Sequence, residues 1–161
     1  MEVRLAHLGD AEAIRRIYNV EVTGSTATFD IRDRTIEEQI EWLEHHSGAH
    51  PAVVAVDDGT VCGFGSLSSY KERAAYSTSV EDSVYVDSDW RRKGVGVLLL
   101  EELVNLARGH GFHTVIGRIA GGNEASVLLH QRCGFEVIGV EREVGRKFGK
   151  WLDVTLVQRL L

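Results

Sequence analysis

The chain has 161 residues, of which 43% are hydrophobic and 26% charged, the balance of a globular protein long enough to bury a core without disulfide staples. Its 18 basic and 24 acidic side chains leave a formal charge of −6, which argues against a nucleic-acid partner but leaves room for one compact cationic pocket. No apolar run approaches the ~20 residues of a bilayer span, the N-terminal MEVRLAHLGD has no apolar secretion segment, and the isolated Cys62 and Cys133 fit neither a disulfide framework nor a metal spacing. The expectation is a cytoplasmic protein with no membrane partner and no metal, folded as one domain over residues 1–161.

Residues 2–6 read as a first strand. Asp10 is placed to N-cap a helix carrying Ile14, Ile17 and Tyr18 on one face. Residues 23–34 read as a polar loop around Phe29. Thr35 and Glu38 predict a capping box for a second helix with Ile36, Ile40 and Leu43 as its apolar stripe. Ala52–Val56 and Val61–Leu67 are strands joined by Asp57-Asp58-Gly59, a hairpin signal. Thr78–Val86 is a longer strand whose alternation puts Val80, Val84 and Val86 on one face and Glu81, Ser83 and Tyr85 on the other. A third helix has Val95, Leu98, Leu99, Leu103 and Leu106 as its apolar face and stops at Gly109 and Gly111. Thr114–Ile119 is a strand, Asn123 caps a short helix ending at Gly134, and Phe135–Val140 and Trp151–Leu160 close the chain as strands. The order βααβββαβαββ is mixed α/β with a hairpin in the middle.

Chemistry concentrates between Ser83 and Leu100. A strand runs into the basic, glycine-containing turn Trp90-Arg-Arg-Lys-Gly-Val-Gly96, which opens directly into a helix. Such a turn gathers backbone N–H groups and the positive helix end at one point, a site for an anion. Gly94 and Gly96 let the backbone come close to a phosphate, and Arg91, Arg92 and Lys93 add charge. Two better-known phosphate loops do not fit. A dinucleotide fingerprint needs a third glycine where Leu99 stands, and Gly145-Arg-Lys-Phe-Gly149-Lys150 lacks the spacing and the following Ser or Thr of a P-loop.

Arg91-x-x-Gly94-x-Gly96 resembles the pyrophosphate loop of the GNAT superfamily of N-acetyltransferases. The likeness continues through Asn123-Glu-Ala-Ser126 and Arg132-Cys-Gly-Phe135, similar to the family's second acetyl-CoA segment. The stretch Arg142 to Asp153, the Thr-Phe-Asp context of Phe29 and the Val-Glu-Asp-Ser-Val-Tyr-Val strand at 80–86 resemble the phosphinothricin and methionine sulfoximine acetyltransferase branch. The resemblance thus covers nearly the whole chain, in order.

It implies an α/β GNAT fold, a mixed central sheet with a splayed strand pair and flanking helices. It also implies acetyl-CoA as co-substrate, with Val84, Tyr85 and Val86 beside pantetheine, Arg91, Arg92, Lys93, Gly94, Val95, Gly96 and Val97 around the pyrophosphate, and Asn123 and Ser126 as further contacts. Core packing for the valines and a plain N-cap for Asn123 are the alternatives. Glu81 is the candidate general base; Asp82 points to the opposite face, so the two are not a matched acid/base pair. His130 stands where many relatives carry a tyrosine that protonates the departing thiolate, and is either that acid or a packed histidine. Phe29, Lys71, Arg73 and Tyr76 are candidates for an amino acid-like acceptor with an acidic group. The basic run Arg142, Arg146, Lys147 and Lys150 with Trp151 corresponds to a loop that in relatives packs at a twofold interface, which implies a homodimer. Acetylation of protein N-termini, polyamines or antibiotics, or non-catalytic binding of acetyl-CoA, are the rival functions.

Overall fold

The computed structural model describes residues 1–161. The chain runs β1 (Glu2–Leu5), α1 (Ala11–Gly24), α2 (Ile36–Glu44), β2 (Ala52–Asp57), β3 (Thr60–Ser69), β4 (Ser79–Val86), α3 (Val95–Gly109), β5 (Thr114–Ala120), α4 (Glu124–Arg132), β6 (Glu136–Lys147) and β7 (Lys150–Leu160). The strands form one sheet in the order β1-β2-β3-β4-β5-β7-β6. Every neighbouring pair is antiparallel except β4 and β5.

That parallel pair positions the site. Only Ser79–Asp82 pair with Thr114–Gly117. Beyond them β3 still holds β4 as far as Val86, and β7 still holds β5 as far as Ala120, but β4 and β5 part. The expected splayed pair is therefore present, and its backbone groups facing the gap have no strand partner.

The two faces of the sheet bury different helices. On one, α3 packs Val95, Leu99, Leu100, Leu103 and Ala107 against Val53, Leu67, Val80 and Val115. On the other, α1 and α2 pack Ile14, Ile17, Tyr18, Val22 and Leu43 against Val54 and Phe64. Truncating any of the fully buried leucines to alanine would cost about 2–5 kcal/mol.

Several expectations need correction. The α3 face omits Leu98, which is 42% exposed; in Val97-Leu98-Leu99-Leu100 the helical period selects Leu99 and Leu100, continued by Leu103, Val104 and Ala107. Helix α1 runs through Thr23 to Gly24 instead of stopping before the loop. Asp10 precedes α1 without capping it, because its carboxylate accepts from Arg4 and from the His7 amide. Thr35 caps α2 through the Glu38 amide, but Glu38 turns its own carboxylate to Arg32, so the capping box is half formed. Strand β6 continues through the basic run to Lys147 and forms a long hairpin with β7.

Candidate active site

The turn after β4 is built locally. The Asp87 carboxylate accepts from the Asp89 amide at 3.1 Å and pairs with Arg16 at 2.8 Å, closing a short 3₁₀ turn over Ser88–Trp90. Arg92 and Gly94 then take left-handed conformations, with φ of 60° and 83°. Helix α3 starts at Val95, and its first bond runs from the Leu98 amide to the Gly94 carbonyl at 3.2 Å. The N–H groups of Val95, Gly96 and Val97 are thus left without helical acceptors at the positive end of a 15-residue helix. Gly96 has a packing reason as well: a Cβ there would stand 3.1 Å from Leu129 of α4. Arg91 lies between the Glu21 carboxylate and the Val86 carbonyl, and the Lys93 ammonium sits 5.0 Å over the Trp90 ring.

From this turn a cleft of ≈ 330 Å³ runs along Val84, Tyr85 and Val86 of β4, closed opposite by Asn123 and by the end of α1 and the loop after it. It adjoins a narrower pocket of ≈ 50 Å³ between Ser83–Tyr85 and Arg118–Ala120, whose walls include Asp82, Asn123, Ser126 and His130. Asn123 does cap α4, its Oδ1 accepting from the Ser126 amide at 3.2 Å, and it also faces both cavities. Tyr85 packs its ring on Phe64 and edge-on to Tyr18; burial above all holds its hydroxyl protonated far above the ordinary range.

Two neighbouring carboxylates on β4 meet different surroundings. Glu81 is half-buried on the face of Tyr85, 3.9 Å from Nε of Arg118. Burial pushes its pKa up, Arg118 pulls it back and the charge of Asp82 pushes it up further; the net direction is upward. Asp82 is buried on the opposite face and binds His130 Nε2 through Oδ2 at 2.8 Å. His130 Nδ1 lies 2.7 Å from the Ser126 carbonyl oxygen. Both partners of the ring are acceptors, so the arrangement is satisfied when both nitrogens carry protons. Burial alone would lower the His130 pKa, but the charge and hydrogen bond of Asp82 and the Ser126 carbonyl outweigh it and raise it. Asp82 Oδ1 is buried without a partner. His130 therefore has no free N–H aimed at a departing group, and its expected role as a direct acid is not supported by its geometry.

The remaining candidates are dispersed. Lys71, Arg73 and Tyr76 lie on the exposed segment between β3 and β4 and line neither cavity. The Lys71 ammonium rests 5.0 Å and 5.2 Å from the rings of Tyr70 and Tyr76. Phe29 lies against Gly145 of β6 and is 41% exposed. Its loop is tied down by the buried Lys147, which donates to the Thr28 carbonyl at 2.8 Å, and by Tyr18, bonded to Thr28 and Asp30. Lys147 therefore belongs to the interior and not to the interface loop in which the basic run placed it. Sequence reasoning passed over Arg118, Glu21 and the partnership of Asp82 with His130. For Asp82 a signal existed, an acid in register with Val80 and Val84 on the apolar face; for Arg118 there was none.

No helix is long and apolar enough to cross a membrane. Residues 12–135 match the model of the Acetyltransferase (GNAT) family. The chain is 38% identical over 158 residues to the L-methionine sulfoximine/L-methionine sulfone acetyltransferase of Pseudomonas aeruginosa, covering 97% of this chain and 92% of that one. Among solved structures it superimposes with a TM-score of 0.97 and 36% identity on the ribosomal-protein-alanine N-acetyltransferase of Brucella melitensis, covering 100% of both chains. A phosphinothricin acetyltransferase of Sinorhizobium meliloti in complex with AcCoA matches with a TM-score of 0.96 and 36% identity, covering 99% of this chain and 88% of that one.

Proposed function

The chain belongs to the acetyltransferase (GNAT) family and is an acetyl-CoA-dependent N-acetyltransferase, and from that premise we propose that its acceptor is the amine of a small amino acid of the methionine sulfoximine, methionine sulfone or phosphinothricin type. The observation that carries the reading is the parting of β4 from β5 after Asp82, above a helix end with three free N–H groups. An extended pantetheine matches the unpaired edge of Val84–Val86, and a pyrophosphate matches the amides of Val95, Gly96 and Val97. Arg91, Arg92 and Lys93 supply the cationic surround.

Glu81 accepts a proton from the acceptor ammonium, and the freed amine attacks the thioester carbonyl. A backbone N–H near Val86 polarises that carbonyl. The new C–N bond replaces the C–S bond. Of the two protons the nitrogen loses, one leaves through Glu81 to water and one balances the thiolate. Cys62 and Cys133 are buried, and burial raises both thiols, so transfer is direct and forms no acyl-enzyme.

A cytoplasmic homodimer completes the reading. The β6–β7 hairpin exposes Val140, Val144, Phe148 and Trp151, an apolar surface on an edge of the sheet. The test is thiol release from acetyl-CoA with L-methionine sulfone, L-methionine sulfoximine, phosphinothricin and an alanine-terminated peptide. Turnover with the first three that falls about 10²–10⁴-fold in Glu81→Gln supports the assignment. Turnover with the peptide alone would overturn the acceptor class.

A further inference from the structure

We propose that Arg118 holds the carboxylate of the acceptor and, with Glu81, restricts this enzyme to amines that carry a carboxylate on the same carbon. The inference rests on the amino acid reading above and gives it a residue and a reason.

The acidic group of such an acceptor needs a cation inside the site. Of the lysines and arginines, the walls of the two cavities include Arg91 and Arg118 alone. Arg91 is engaged by Glu21 at the pyrophosphate end. Lys71 and Arg73 line neither cavity.

Backbone register places Arg118. Gly117, opposite Asp82, is the last residue of β5 paired with β4, so Arg118 is the first residue on the rim of the gap. Glu81 lies opposite Ile116, and strand alternation puts Ile116 and Arg118 on the same face. Glu81 and Arg118 therefore share one face of the sheet where the strands part: Arg118 lines the narrower pocket, and Glu81, which is not among its walls, is reached through the guanidinium, Arg118 Nε standing 3.9 Å from Glu81 Oε1.

That spacing suits a zwitterion. In an α-amino acid the nitrogen and the nearer carboxylate oxygen are roughly 3 Å apart, joined through Cα. An ammonium on Glu81 therefore brings its carboxylate to the guanidinium, whereas a simple amine or a peptide N-terminus has no charge to offer there. Arg118 can make the exchange without leaving its strand. Nη2 donates to Glu141 of β6 at 3.2 Å, which anchors the far side of the fork. The side chain is 48% exposed, and its contact with Glu81 lies beyond hydrogen-bond distance. A carboxylate arriving between them would gain charge-assisted bonds that Glu81 does not make.

The experiment compares kcat/KM for L-methionine sulfone with that for its primary amide, in which the carboxylate charge is gone. The wild type should prefer the acid by roughly 10- to 100-fold, a fork-type ion pair in a half-buried site. Arg118→Ala should lose most of that preference through the KM of the acid, and Arg118→Lys should keep part of it. KM for acetyl-CoA should be unchanged in both, showing that the slot is intact. If Arg118→Ala keeps the full preference, or the wild type has none while acetylating both, the role of Arg118 is refuted and the amino acid reading stands. If the wild type acetylates neither molecule but does acetylate a peptide, the amino acid reading fails and this inference with it.

Discussion

Replacing Asp82 with asparagine should change the stability of the protein by an amount that depends on pH. The pair it forms with His130 is closed to water, with side chains 1% and 4% exposed. Removing one partner of such a pair outright costs about 3–5 kcal/mol. Asparagine keeps the shape and can donate to a neutral His130 Nε2, so Asp82→Asn should cost about 1–3 kcal/mol. The sign with pH follows from the direction of the shift. The folded-state pKa of His130 lies above its ordinary 6.5, so the pair's stabilisation is fully present below 6.5 and is lost as pH rises through the higher, folded value. The other groups on the ring are the Ser126 carbonyl and the edge-on ring of Phe135, neither of which titrates. Urea unfolding of the wild type and Asp82→Asn, across pH values on both sides of 6.5, should show a gap that is widest in acid and narrows in base. NMR of the imidazole should show both ring N–H groups in the wild type and one in the variant. A gap that does not vary with pH, or a wild-type ring that is neutral below 6.5, would refute the reasoning.

Gly94→Ala should cost about 1–2 kcal/mol through backbone strain alone, since φ is 83° and nothing lies near the added carbon; it should also raise KM for acetyl-CoA, measured by thiol release. Gly145→Ala would put a methyl into the ring of Phe29; KM for the acceptor should rise while KM for acetyl-CoA holds. Gly117→Ala would bring a carbon to 2.7 Å from Val157, 3.0 Å from His130 Nε2 and 3.1 Å from Asp82 Oδ1, so it should lose about 1–3 kcal/mol by overpacking, read from thermal unfolding. For the homodimer proposed above, Phe148→Glu on the exposed hairpin turn should shift sedimentation from dimer to monomer while the monomer remains folded.

What could be read from the sequence was local. The donor half of the site is one contiguous stretch, where a strand, a capped turn and a helix follow one another within residues 83–97 and each residue's neighbours are its chain neighbours. Helix α2, the hairpin at Asp57-Asp58-Gly59 and the cap at Asn123 were legible for the same reason. The acceptor half depends on contacts between distant residues. Asp82 meets His130 across 48 positions, and Lys147 meets Thr28 across 119. Strand β6 escaped notice past Val140 because register shifts break its alternation between Val137 and Gly139 and between Glu141 and Gly145. Its polar residues then looked like a charged loop, although pairing with β7 satisfies the backbone. Lys147 groups with that basic run because nothing nearby in sequence announces that α1 and its following loop close over it.

The alternation of a single strand explains why two adjacent carboxylates can serve opposite purposes. Glu81 and Asp82 are consecutive, so the sheet separates them, and each takes the chemistry of its own side. On the α1 side Glu81 is half-buried and loosely held by Arg118, and burial above all raises its pKa. On the α4 side Asp82 is locked to His130, in space that exists because residue 117 has no Cβ. The pairing of Ser79–Asp82 with Thr114–Gly117 sets both environments at once. A slip of one residue would turn Glu81 into the histidine pocket and Asp82 toward Arg118. The short parallel ladder is therefore what leaves one acid loosely held beside Arg118, as the base proposed above requires, and makes the other an ion-pair partner, and Gly117, opposite Asp82 and beneath His130, is where that choice is enforced.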